Sequence, residues 1–220
     1  LVLDLGADVP RHEEQRRGVG SEIWIDLVNW EDQGKRRQER ADSKMSGKLW
    51  SKAPVSYWDH YLDDREAHVF SIALTGGEPA AITRLSGFQL SKQEYDSDSY
   101  DLSPDGLEIA IATDTDRSGV RGNYDIVTLA TCGCKPAQNL TPTNPADDRA
   151  PRYSPDGKWL AFSQQRIWGF YADRARLMLV DRGNGAQRDL SGNWDRTVSS
   201  IEWLPDSRGL LSAIDDAATN

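Results

Sequence analysis

The tetrapeptide Ser103-Pro104-Asp105-Gly106 returns as Ser154-Pro155-Asp156-Gly157 and, degraded, as Leu204-Pro205-Asp206-Ser207. The three prolines stand 51 and then 50 positions apart. A fixed period of this size marks a repeat architecture, and propeller blades run to ~40–50 residues. Each residue of the motif suits a tight turn. Proline presets φ at the second position, aspartate tolerates the bridge conformation, and glycine accepts positive φ. The motif therefore predicts a hairpin turn, and that role alone accounts for Asp105 and Asp156.

The surroundings repeat with the motif. Tyr100-Asp101-Leu102, Arg152-Tyr153 and Ile201-Glu202-Trp203 precede the three copies, and apolar runs beginning near Leu107, Trp159 and Leu210 follow them. Third strands are predicted at Asp125–Leu129 and Arg176–Val180, and short fourth strands at Gln138–Thr141 and Arg188–Ser191. Four short antiparallel strands joined by turns make one propeller blade. An earlier unit without the motif reads as strands at 55–62, 68–74 and 80–83, with turns at Asp63-Asp64-Arg65 and Gly76-Gly77. The expected fold is all-β: a partial β-propeller of four-stranded antiparallel blades, incomplete at both ends. Residues 1–30 supply the end of a preceding blade and a connection, with residues 1–9 as its last strand. Blades occupy about 53–85, 98–141, 150–191 and, incompletely, 198–220. Because the last unit stops after two strands and closed propellers carry about 4–8 blades, the chain reads as part of a longer protein.

Residues 31–52 break the β pattern. Seven basic and four acidic residues with few apolar ones predict a charged helical or disordered insertion, and the charge is too mixed for a basic docking patch. A net charge of -9 argues against a nucleic-acid partner. No run reaches the ~20 apolar residues of a membrane-spanning helix. The start at Leu1 shows no secretory leader. Two cysteines are too few for a disulfide scaffold and fit cytoplasm and periplasm alike.

With the repeats placed, residues 55–216 resemble the N-terminal β-propeller of prolyl-oligopeptidase-family serine peptidases, in the acylaminoacyl-peptidase and dipeptidyl-aminopeptidase-like branch. Three stretches carry the likeness. They are Tyr57-Trp58-Asp59-His60-Tyr61-Leu62-Asp63-Asp64 followed by His68-Val69-Phe70; the two Ser-Pro-Asp-Gly repeats with Asn139-Leu140-Thr141; and Gly169–Leu179 continued by Asn193-Trp194-Asp195-Arg196. The charged insertion at 31–52 also fits that branch. Residues 1–30 match poorly, and the third turn lacks the serine and glycine of the others. The resemblance implies a C-terminal α/β-hydrolase domain as partner, peptide as substrate, and a propeller that caps the Ser-Asp-His triad and limits substrate size. The triad itself is not in this sequence. There is no Gly-x-Ser-x-Gly elbow, and His12, His60 and His68 all precede the motif-bearing repeats, whereas the hydrolase order is Ser, Asp, His. The alternative is a protein-binding propeller scaffold of the periplasmic Tol type.

Other constellations have plainer readings. Asp114-Thr115-Asp116-Arg117-Ser118-Gly119 with Asp125 mimics the spacing of a calcium loop, but its strand flanks and an arginine-bearing loop favour a long polar hairpin. Cys132-Gly133-Cys134 is half a zinc site at most, and two free thiols in a turn are expected. His60 and His68 read as packing or surface residues. Trp58, Trp159, Trp194 and Trp203 read as blade-stacking residues. Neither a cofactor nor a metal is expected. The candidate substrate-binding residues are Asp173, Arg174 and Arg176. Imperfect alternation after Ala175 places one arginine toward a channel, where it would clamp a peptide carboxylate. The competing reading is a structural ion pair between Asp173 and an arginine of the same loop.

Overall fold

A computed structural model describes residues 2–4, 22–24, 26–27, 29–47, 50, 54–62, 64–72, 80–84, 86–91, 95–116, 118 and 121–214. The chain forms two compact units, Leu1–Glu94 with Arg117–Arg121, and Tyr95–Asp116 with Gly122–Asn220.

In the first unit, β1 (Val2–Asp4), β2 (Glu22–Ile23), α1 (Trp30–Ser43), β3 (Ser56–Tyr57), β4 (His60–Tyr61), β5 (Glu66–Ala67), β6 (Phe70–Ile72) and β7 (Ala80–Ala81) follow in order. The sheets are small: β1-β6-β7, β2-β5 and β3-β4. Helix α1 falls in the charged segment and starts where Asn29 caps it, the Asn29 Oδ1 accepting from Asp32 N at 2.8 Å. Glu31 and Asp32 in its first turn complement the helix dipole. Its only buried side chain is Gln33, which donates to Trp24 O and Leu27 O and accepts from Trp24 N. The helix is held by polar contacts. Arg36 forks onto Asp26, Arg40 forks onto Asp64, and both guanidinium groups lie over the buried Trp24 ring at 5.5 and 4.9 Å.

Two sequence expectations change in this unit. The single strand at 55–62 is instead the β3-β4 hairpin, turned at Trp58-Asp59 with Trp58 in the left-handed region (φ 52). Trp58 is consequently exposed at a turn rather than stacked. Residues 2–4 pair in parallel with β6, filling the edge that β7 leaves open, and do not form an antiparallel blade strand. His68 is buried between Thr83 Oγ1 (2.8 Å) and Glu66 Oε2 (3.2 Å), a packing role as expected. The expected turn at Gly76-Gly77 lies outside the described residues.

The second unit carries the repeats. The strands β8 (Tyr100–Leu102), β9 (Glu108–Asp114), β10 (Tyr124–Ala130) and β11 (Gln138–Asn139) form one four-stranded antiparallel meander. Another is formed by β12 (Asp148–Tyr153), β13 (Trp159–Gln164), β14 (Arg176–Asp181) and β15 (Gln187–Asp189). A third begins with β16 (Glu202–Trp203) and β17 (Leu210–Leu211). These are propeller blades, two complete and one begun, and the fold is a partial all-β propeller.

Each Ser-Pro-Asp-Gly joins the first two strands of its blade. Ser154 Oγ donates to Asp156 Oδ1 at 2.7 Å and accepts from Trp159 N, while Asp156 Oδ1 accepts from Lys158 N. Ser103, Asp105, Leu107 and Glu108 repeat the pattern. Gly106 and Gly157 take φ of 70 and 69, as the turn requires, and Ser207 is forced to φ 60 at the same place in the third copy. Successive repeats also touch one residue away from the equivalent position: Asp156 N donates to Ser207 Oγ, and Tyr153 N to Asp101 Oδ2.

The second blade is buried on both faces, which explains its near-continuous apolar strands. Leu160, Phe162, Met178 and Val180 pack on Ala110, Ala112 and Ile126 of the first blade. The alternate residues Ala161, Leu177 and Leu179 pack on Val198 and Ile201, with Trp159, Trp203 and Leu210 at the margin. This period of two is the sheet pleat. Trp159 and Trp203 thus stack between blades as expected, whereas Trp194 sits in a turn after β15 and is exposed.

Cys132 and Cys134 are joined by a disulfide, which corrects the expectation of free thiols. Gly133 at φ 62 folds the turn back so that the two Cα atoms come to 5.2 Å, inside the usual disulfide range.

Candidate functional site

The two ends of the second blade differ. At one end lie the tight turns 154–158 and 182–186. Beside them is a cavity of about 800 Å³ between the first two blades, lined among others by Glu108, Gln138, Trp159, Val180 and Arg182. Its charges are internally matched. Glu108 accepts from Arg182 (3.0 Å) and Tyr153 OH (2.7 Å), Arg182 also donates to Gly157 O, and Lys158 pairs with Asp156. Burial, helped by the Glu108 carboxylate, raises the Tyr153 phenol. This is a structural seam.

The other end carries the long loop from Gln165 to Ala175, which contains Asp173 and Arg174, with Arg176 directly after it as the first residue of β14. Asp173 is its keystone. Its nearly buried carboxylate accepts from Arg166 N (2.6 Å), Ile167 N (3.1 Å) and Arg176 Nη1 (3.2 Å). Burial works to raise its pKa, but the hydrogen bonds from Arg166 N, Arg176 and Ile167 N outweigh it and hold the group ionised below the ordinary value. Arg176 also donates to Arg174 O at 2.9 Å. Arg174 reaches across to Ser191 O (3.3 Å) and Gly192 O (3.2 Å), fastening the loop to the turn that follows β15. The structure thus brings Asp173 and Arg176 together as an ion pair and commits Arg174 to backbone carbonyls.

What this scaffold displays was missed in the sequence. Ile167, Trp168, Phe170 and Tyr171 are 54, 43, 52 and 99% exposed, and Trp194 across the Arg174 staple is 45% exposed. Trp168 Nε1 donates to Gly122 O at 3.2 Å, in the corresponding loop of the first blade. The available signal was the run Ile167-Trp168-Gly169-Phe170-Tyr171 itself. It is apolar, yet a turn glycine interrupts it and it lies where the repeat demands a loop.

A buried polar network underlies this loop. Gln165 Nε2 donates to Asp173 O (2.7 Å), and Asn144 Nδ2 donates to Gln165 O (2.9 Å) and to Asp148 Oδ1 (3.1 Å). Gln164 Nε2 donates to the same Asp148 oxygen at 3.0 Å, while Asp148 Oδ2 is buried without a partner. Burial pushes Asp148 up to about 7, against hydrogen bonds from Gln164, Thr141 and Asn144 and with a further upward push from the Asp125 carboxylate. Asp125 is itself buried, its oxygens accepting from Thr115, Asn123 and Asn139.

The calcium-like spacing has a similar explanation. Asp114 Oδ1 accepts from Asp116 N and Asn123 N, which closes a hairpin loop. Arg117 and Gly119 of that pattern lie outside the described residues. Among the described residues, no group of three or more His, Cys, Asp or Glu side chains is placed to hold a metal ion.

No family model matches the chain. It is similar to curated proteins named dipeptidyl-peptidase 5. The match to the protein of Arthroderma otae is 28% identical over 197 residues, covering 79% of this chain and 27% of that protein. The match to the protein of Porphyromonas gingivalis is 26% identical over 194 residues, covering 80% and 27%. A solved structure titled as a TolB of Agrobacterium tumefaciens aligns at TM-score 0.43 and 18% identity, over 67% of this chain and 55% of that one. The chain therefore resembles part of proteins named dipeptidyl-peptidase 5, and it spans about a quarter of the length of the curated relatives it matches.

Proposed function

We propose that these residues are the substrate-gating propeller portion of a serine peptidase that hydrolyses short peptides, and that they break no bond themselves. One observation carries the reading: similarity to dipeptidyl-peptidases along four fifths of the chain, in a stretch folded as blades and lacking the serine elbow. Gating is exclusion. Blades rigidly packed on one another leave a narrow passage, which admits a short or unfolded peptide and rejects a folded domain. Asp173, Arg174 and Arg176 serve this role by fixing the shape of the loop they hold, and any effect on peptide binding runs through that shape.

The test uses the longest translated product that contains these residues. It is offered chromogenic dipeptidyl substrates, and separately a folded protein bearing the same cleavable sequence. Cleavage of the first and sparing of the second is the expected result. Equal cleavage of both would remove the gating role, and cleavage of neither would remove the peptidase.

A further inference from the structure

We infer that the loop Arg166–Ala175, together with Trp194, is a docking surface for the catalytic part of the peptidase. This rests on the function proposed above. The argument begins with energetic cost. Large apolar side chains held in water are unfavourable, and contiguous exposed apolar groups mark surfaces that another body covers. Ile167, Trp168, Phe170 and Tyr171 are exposed within one run of five residues, and Trp194 is exposed on the turn to which Arg174 fastens that run.

The loop is not loosely held, as a segment awaiting order would be. Asp173 ties down two of its amides and Arg176, Gln165 anchors its far side, Arg174 staples it to the Trp194 turn, and Trp168 bridges to the first blade. Pre-organised aromatic groups lose little entropy on contact, and Trp and Tyr are the usual anchors of protein interfaces.

Two observations choose the occupant. The display spans two loops of one blade and leans on a loop of the preceding one, so what covers it meets three separate chain segments at once. The relatives continue for nearly three quarters of their length outside the matched stretch, which is ample polypeptide for a domain that covers it.

The experiment is hydroxyl-radical footprinting of Trp168, Phe170, Tyr171 and Trp194. The chain of 220 residues is compared with the longest translated product, with peptidase activity measured on the same samples. Oxidation at least about fivefold slower in the longer product, without added peptide, is expected for buried interface anchors. Equal oxidation in both, with peptidase activity present, overturns the docking site and leaves the proposed function standing. Protection that appears only on adding peptide also overturns it, by making the loop a peptide site. Protection in a product with no peptidase activity overturns the choice of occupant and the proposed function together. A second variant guards against misfolding. Phe170→Ser with Tyr171→Ser, which changes exposed side chains and keeps the Phe170 backbone carbonyl that accepts from Asp173 N, leaves the melting temperature of the shorter chain unchanged and raises Trp168 oxidation in the longer product.

Discussion

Asp148 offers a quantitative check, because replacing it by asparagine keeps its shape and removes its charge. Its carboxyl is fully buried at the start of β12, with one oxygen accepting from Gln164 and Asn144 and the other unpartnered. The charged groups around it are Asp125 on β10 and, beside it in the chain, Asp147, which is paired with Arg149. Burial raises its pKa from the ordinary 3.8 to about 7. A raised acid keeps its proton in the folded chain after the unfolded chain has lost it. Stability is therefore fully present below the ordinary value, falls as pH rises through the window, and stays low above about 7. At about 1.4 kcal/mol per pH unit, moving from pH 5 to pH 8 costs the native protein about 3 kcal/mol at this site. Asp148→Asn does not titrate and escapes that loss. Its own constant cost, about 1 kcal/mol for an amide without a partner, cancels between the two conditions. The assay is urea unfolding of both proteins at pH 5 and pH 8, followed by tryptophan fluorescence. The expected result is a variant that gains about 3 kcal/mol on the native protein between the two pH values. A stability difference that does not change with pH would show that Asp148 is ionised and solvated in the folded state, and would refute the buried network.

Further outcomes follow from the loop and the turns. Asp173→Ala leaves Arg176 and two amides without their acceptor and is expected to lower stability by about 3 kcal/mol, read as a lower urea midpoint. Gly157→Ala puts a side chain at φ 69 within 3.4 Å of Arg182 Nη1, costs about 1–2 kcal/mol, and lowers the melting temperature. Gly34→Ala in α1 meets nothing within 4 Å and stabilises that unit by about 0.8 kcal/mol, a small upward shift in its melting.

The blades were legible because their information is local. A proline, an aspartate and a glycine in fixed order determine a turn wherever they occur, and the strands on either side are apolar at a length that only a doubly buried strand explains. Even the third copy keeps its turn, since Asp206 Oδ1 still accepts from Arg208 N. The loop chemistry was only half legible. Asp173, Arg174 and Arg176 stood out as charges, and the ion-pair reading describes what Asp173 and Arg176 do. The aromatic display did not stand out, because a Trp-Gly-Phe-Tyr run looks like core until the strand before it is seen to end at Gln164. Asp148 was invisible for a different reason. Its burial depends on Gln164 arriving from β13, beyond the reach of any local pattern, as well as on Asn144 folding back from the turn four residues earlier. The hairpin at Trp58-Asp59 was hidden by β-favouring residues on both sides of a turn that contains neither glycine nor proline. The Cys132–Cys134 bond depends on the backbone angle of Gly133, which spacing alone does not reveal.

The central claim, that these blades guard a peptidase without carrying its nucleophile, is tested most directly by a fluorophosphonate probe, which labels only an activated serine. The account predicts no label on the 220-residue chain and one labelled serine in the longest translated product, mapping after residue 220. A label on any serine of the chain itself, or a longer product that takes none, would contradict it.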